Sequence, residues 1–231
     1  MFSVIYEDNH LLIAEKPPNL LTQGDATGDP CLADEVKAYL KEKYGKPGDV
    51  YLGLVHRLDR PVGGLVAMAR TSKAAGRLSE QLRTHQMQRE YLAVVHGAEI
   101  PAHGTCSDFL LDDEGTVCAV PEGTENAKEA VLHWKTLGTR DGLALVHIRL
   151  ETGRKHQIRV QLQNLGHPIV QDMRYGVDPP GEPIALWGAV LHLIHPTKNE
   201  PMIFLSRPRG KTFAVFQPEI DAFMEGRAQT D

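Results

Sequence analysis

Apolar and polar positions along the chain alternate between two periods. At the start, "SVIYEDNHLLIAEKP" sets two β-prone apolar runs on either side of Asp8-Asn9, which predicts a hairpin closed by a turn from Glu7 to His10. The spacing then becomes helical: Leu32, Val36, Tyr39 and Leu40 form one stripe across residues 32–44. "GGLVAMAR" reads as a short buried strand, after which Thr71 or Ser72 caps a helix carrying Ala75, Leu78 and Leu82. "REYLAVVHG" is another strand, and residues 100–150 hold several more, separated by acidic turns. In "HQIRVQLQNLG", Ile158, Leu162 and Leu165 share a helical face and Gly166 is the stop, with Arg154, Lys155 and His156 in the helix's first turn. The tail offers strands near 186–194, 202–206 and 212–216, then a short helix after Pro218. Strands often follow strands without a crossover helix, so the fold class is α+β with a predominantly antiparallel sheet. No repeat or linker divides the chain, which predicts a single domain over residues 1–231.

Composition narrows the classes. With 231 residues and 42% hydrophobic content the chain can bury a sizeable core. It holds no apolar run long enough to span a membrane, and Glu7 and Asp8 interrupt any signal-like start, so a cytoplasmic protein without membrane contact is expected. Cys31, Cys106 and Cys118 lack the close pairing of a zinc ribbon or redox motif and read as reduced structural thiols. A net charge of −5 argues at first against a nucleic-acid partner. The distribution changes that picture: seven cations face three acids between His56 and Tyr91, whereas seven acids face one lysine over 107–129. One surface can therefore be basic on an acidic chain.

Candidate chemistry concentrates in "HRLDRPVGG" (56–64), "QREYLAVV" (88–95) and "LETGRKHQIRVQLQNLGHPIVQDMRYG" (150–176). Backbone N–H groups and cations converge at Arg154 and Lys155, a combination that suits an anion. Arg159 lies near the apolar face of its helix and needs a carboxylate partner. Asp59, set between apolar Leu58 and Val62, is the candidate, because a bidentate pair would hold both groups and keep the acid ionised. Taken singly, Tyr91 reads as a core residue, Arg57 and Arg60 as surface charges, and His56 and His156 as structural hydrogen-bonders. His56, His156, His167, His192 and His195 show neither the helical pair nor the carboxylate spacing of a zinc hydrolase, so no metal site is expected.

Taken together, "HRLDRPVGGL", "REYLAVV" and "TGRKHQIRVQL…GHPIVQDMRYG", with the opening "IYEDNHLLIAEKPPNLLT" and the later "LHLIHPTKNEPMIFLS", resemble in order and spacing the signature segments of the RluA family of pseudouridine synthases, from about residue 4 to 216. The chain departs from the family pattern at Val62-Gly63, where relatives usually carry Thr-Ser, at Gln161, where they carry His, and at Gln171, where they carry Gly. The resemblance implies the pseudouridine synthase fold, a mixed, predominantly antiparallel sheet flanked by helices with a central RNA-binding cleft. It implies conversion of uridine to pseudouridine in a stem-loop of tRNA or rRNA, with no cofactor and no metal. Asp59 corresponds to the family's catalytic carboxylate, Tyr91 to the ring that packs on the target base, and Arg159 to the arginine that salt-bridges the aspartate. Arg57 corresponds to the residue that reaches into the RNA, and Arg154, Lys155, Lys73 and Arg77 are looser candidates for phosphate contacts. The S4-like domain of many relatives is not expected ahead of the first motif, and a monomer is the simplest expectation. Two further readings stay open: a non-catalytic RNA-binding or chaperone protein on the same scaffold, and a carboxylate-dependent nucleosidase.

Overall fold

The computed structural model describes residues 1–228. The chain forms two compact units: Met1–Gln88 with Val190–Ser206, and Arg89–Ala189 with the residues from Arg207 on. The first unit begins with β1 (Ser3–Glu7), β2 (Leu11–Lys16), α1 (Leu32–Lys43), β3 (Gly53–Leu54), β4 (Gly63–Ala69) and α2 (Ser72–Arg83). The second continues with β5 (Gln88–His96), β6 (His103–Asp113), β7 (Thr116–Val120), β8 (Lys128–Arg140), β9 (Leu143–Leu150) and α3 (Gln157–Asn164). Next, β10 (Leu186–Ile194) carries the chain back into the first unit, where β11 (Pro201–Leu205) follows, and α4 (Lys211–Ala214) and α5 (Gln217–Ala228) close the second.

In the first unit β2 pairs antiparallel with both β1 and β4, and β11 pairs antiparallel with β10. The opening hairpin turns as its sequence requires: the Asp8 carboxylate accepts the amides of His10 and Leu11 at 2.8 and 2.9 Å, closing the link between β1 and β2. Every residue of β2 and β4 is buried, which explains the apolar runs Leu11–Ala14 and 63–69, while β2 ends in buried Glu15 and Lys16. Leu11, Ile13 and Leu65 pack there against Leu78 of α2 and Phe204 of β11. Thr71 is the cap of α2; its side chain accepts from the Ala74 amide at 3.2 Å.

In the second unit the strands lie in the order β5-β9-β8-β6-β7, all antiparallel. Leu110, Val117 and Ala130 form a core with Val160 of α3 and Tyr175. The segment 107–129 is part of this sheet, running through the ends of β6, β7 and the start of β8.

Two expectations from the periodicity need correction. Residues 212–216 are not a strand: α4 occupies Lys211–Ala214, and Phe213 and Phe216 are buried at helical rather than alternate spacing. Arg154, Lys155 and His156 do not form the first turn of α3, which starts at Gln157 after His156 adopts a left-handed conformation (φ 54°). The helix does end at Gly166, whose φ of +86° a side chain would strain. Among the described residues, no helix is long and apolar enough to cross a membrane, and the three cysteines are free thiols.

Candidate active site

The first unit holds the His56–Val62 loop in place through three anchors and a turn of its own. His56 is buried and its Nε2 accepts the Ala67 amide at 2.9 Å, which ties the loop to β4. Thr22 Oγ1 donates to the Leu58 carbonyl at 2.7 Å and accepts the Leu58 amide at 3.2 Å, so Leu58 is gripped at both of its backbone groups. The Val62 amide closes a turn onto the Asp59 carbonyl at 3.0 Å. Lys16, fully buried at the end of β2, donates through Nζ to the carbonyls of Pro17, Leu20 and Arg60 at 3.1, 2.6 and 3.1 Å. Asp59 is therefore carried between residues whose backbones are fixed on either side. Its neighbours Leu58 and Val62 are buried, while Asp59 is only partly so and Arg57 is exposed.

Lys16 is the site residue that residue patterns alone did not single out. Burial pushes its pKa down to about 7, and the opposing charge of Asp59 works against that fall. Three carbonyls around one ammonium use all of its protons, whereas a neutral amine could satisfy only two. A lysine at the end of an apolar strand, followed by two prolines, was the available signal.

In the second unit Tyr91 is buried on β5, opposite Ile148 of β9. Arg159 is buried on α3, and its carboxylate neighbour in this unit is Asp172: Nε donates to Oδ2 at 2.8 Å and Nη2 to Oδ1 at 2.7 Å. Asp172 Oδ1 also accepts the amides of Arg174 and Tyr175, and the Arg159 guanidinium lies over the Tyr175 ring at 5.1 Å. Burial alone would raise the Asp172 carboxyl; the hydrogen bonds and charge of Arg159, with the two amides, hold it below the usual range. Gly176 closes this turn, its amide on the Asp172 carbonyl at 2.7 Å. A Cβ on Gly176 would meet that same oxygen at 2.5 Å. Asp172 lies thirteen residues beyond Arg159, outside the helix, so helical spacing gave no sign of the pair.

The turn before α3 is tied to β8. Thr152 Oγ1 accepts the Val131 amide at 2.8 Å and donates to Gln157 Oε1, which also accepts the Arg154 amide. The cations expected to meet phosphate divide into two groups. Arg57 and Lys73 are exposed and, among the described residues, have no ion-pair or hydrogen-bond partner. Arg77 donates to the Pro196 carbonyl, Arg154 to that of Glu129 at 2.8 Å, and Lys155 is paired with Asp112 at 2.9 Å. Among the described residues no cluster of His, Cys, Asp or Glu could hold a metal ion.

The family model described as RNA pseudouridylate synthase matches residues 10–164, a segment that contains Asp59, Tyr91 and Arg159. An RNA pseudouridine synthase of Mycoplasma pneumoniae is 32% identical over 218 residues, which cover 91% of this chain and 68% of the relative. The ribosomal large subunit pseudouridine synthase D of Xylella fastidiosa is 33% identical over 214 residues, 86% of this chain and 63% of the relative. An RNA pseudouridine synthase of Synechocystis is 33% identical over 207 residues, 85% of this chain and 62% of the relative, so the chain spans somewhat under two thirds of some of its curated relatives. The solved structure of human RNA pseudouridylate synthase domain containing 4 shares the fold, with a TM-score of 0.75 at 22% identity over 95% of this chain and 93% of that one. A matched family segment and relatives above 30% identity support one conclusion, that the chain belongs to the RNA pseudouridylate synthase family, as a member of its RluA group.

Proposed function

We propose that the chain isomerises uridine to pseudouridine within a structured RNA, tRNA or rRNA, with Asp59 as the catalytic carboxylate. The observation that carries this reading is the fixed loop. Asp59 lies inside the family-matched segment, between backbones held by Thr22 and Lys16. Positioning of that kind is what a reacting carboxylate requires.

The reaction is balanced without a redox step. The N1–C1′ bond breaks, the uracil turns, a C5–C1′ bond forms, C5 loses a proton and N1 gains one. Asp59 attacks C1′, adds to C6 or takes the 2′ proton; each route needs an ionised carboxylate. Asp172 engages the Nε and one Nη of Arg159, and the proposed role of the remaining guanidinium donors is to orient Asp59. Tyr91 supplies an aromatic face for the target base, and such stacking is worth roughly 1–3 kcal/mol. The nucleotide must leave its stack to react, and Arg57, exposed and unpartnered among the described residues, is suited to fill the vacancy.

The test is tritium release from tRNA and, separately, from large-subunit rRNA, each labelled at uridine C5, with wild type and Asp59→Asn. Wild type is expected to release tritium from one pool, and Asp59→Asn to bind RNA without release. Release by Asp59→Asn at the wild-type rate would refute the assigned carboxylate. RNA binding without release by either protein would favour a non-catalytic binder.

A further inference from the structure

Arg89 lies in the strand that carries Tyr91, and neither the fold nor the proposed reaction uses its chemistry. It is half-buried, and its Nε is shielded from solvent with no hydrogen-bond partner. Among the described residues it has no carboxylate or carbonyl acceptor at all. Other arginines of this unit withdrawn from solvent are engaged: half-buried Arg227 with Glu90 at 2.6 Å, and buried Arg159 with Asp172. A guanidinium N–H withdrawn from water without an acceptor is costly, so the retention of this one calls for an explanation.

Its position supplies one. Arg89 and Tyr91 are two apart on β5 and so project from the same face of the strand, about 6.8 Å apart along it. The guanidinium lies directly over Gly153, in the turn that precedes α3: a Cβ there would meet its Nη2 at 2.7 Å and Nη1 at 2.9 Å. Gly153 does not have a left-handed φ, so the missing side chain serves space rather than backbone conformation. The turn is itself fixed to β8 through Thr152 and Gln157.

Resting on the synthase reading, we propose that Arg89 is an RNA phosphate site: a forked cation held over Gly153, which binds a backbone phosphate beside the nucleotide whose base packs on Tyr91. Arginine suits this because its planar fork meets two phosphate oxygens at once. Gly153 is its positioning residue.

The experiment measures binding of a fluorescein-labelled hairpin RNA to wild type, Arg89→Met, Arg89→Lys, Gly153→Ala and the double variant Arg89→Met/Gly153→Ala over a range of salt concentrations. Arg89→Met is expected to weaken binding about tenfold, equivalent to about 1.4 kcal/mol, and to lower the slope of log K against log salt by about 0.7–0.9, the loss of one phosphate contact. Arg89→Lys should restore the slope but only part of the affinity. Gly153→Ala should reproduce Arg89→Met, because the new methyl displaces the flexible end of Arg89 rather than backbone, and the double variant should be no worse than either. A wild-type slope in Arg89→Met, or additive losses in the double variant, would overturn the site. Tritium release by the wild type separates the two ideas: no release with the slope change present removes the synthase reading and leaves the phosphate site, whereas release with unchanged slopes does the reverse.

Discussion

Lys16 shows how much a single buried side chain can decide. Its ammonium joins the Pro17–Leu20 turn to the Arg60 carbonyl, immediately after Asp59. Replacing it with methionine keeps the volume and leaves three carbonyls without their donor, each a cost of about 1–3 kcal/mol before relief from burying the charge. Relief is real, because burial already pushes the lysine down to about 7. The larger consequence is geometric: Asp59 loses both an anchor and a positive neighbour. Lys16→Met is expected to lower kcat on the order of 100-fold, as for a reacting group displaced by about an ångström, while RNA affinity stays near wild type. Faster amide exchange in residues 56–62 would accompany it. An unchanged kcat would show that Thr22 and His56 suffice to hold the loop.

At the scale of elements, the pairing of α3 with the turn at 172–176 decides where Arg159 points. The apolar spacing made α3, its stop at Gly166 and the strands β4 and β5 legible, because local periodicity and one turn residue determine them. The Arg159–Asp172 pair was not legible, since it depends on a turn packing back on a helix. Nor was α4: "TFAVF" alternates well enough for a strand, and only the packing of Phe213 and Phe216 selects a helix. Asp172 has a pKa below its unfolded value of about 3.8, so its contribution to stability is present above that value and lost as pH falls through the lower folded one. Asp172→Asn should remove this acid-dependent loss. It should also cost about 3–5 kcal/mol at neutral pH, because the guanidinium beside it stays buried. Urea unfolding of both proteins from pH 2 to 7 measures this; parallel curves would mean that the pair does not titrate with folding.

For the whole molecule, the proposed function raises the question of how a chain of net charge −5 would bind a polyanion. Long-range charge does not favour it, so attraction must come from cations that no acid neutralises locally. Among the described residues Arg57 and Lys73 meet that condition, whereas Lys155 does not, being held by both oxygens of Asp112 at 3.0 and 2.9 Å. The acidic segment visible in the sequence thus takes part in the electrostatics, and at this position it restrains a cation beside the turn that leads into α3. Both side chains are exposed, so the ion pair itself adds little to stability. Asp112→Asn should release Lys155 while the retained Oδ1 still accepts the Gly115 amide and preserves the turn. RNA affinity is expected to rise a few-fold at low salt, and the salt slope to steepen by about 0.7–0.9 as one more phosphate is neutralised. The rise should vanish near 1 M salt, where screening acts within about 3 Å. If affinity rises with no change in slope, Lys155 does not reach the RNA; if neither changes, RNA binding already displaces Asp112 in the wild type at no measurable cost.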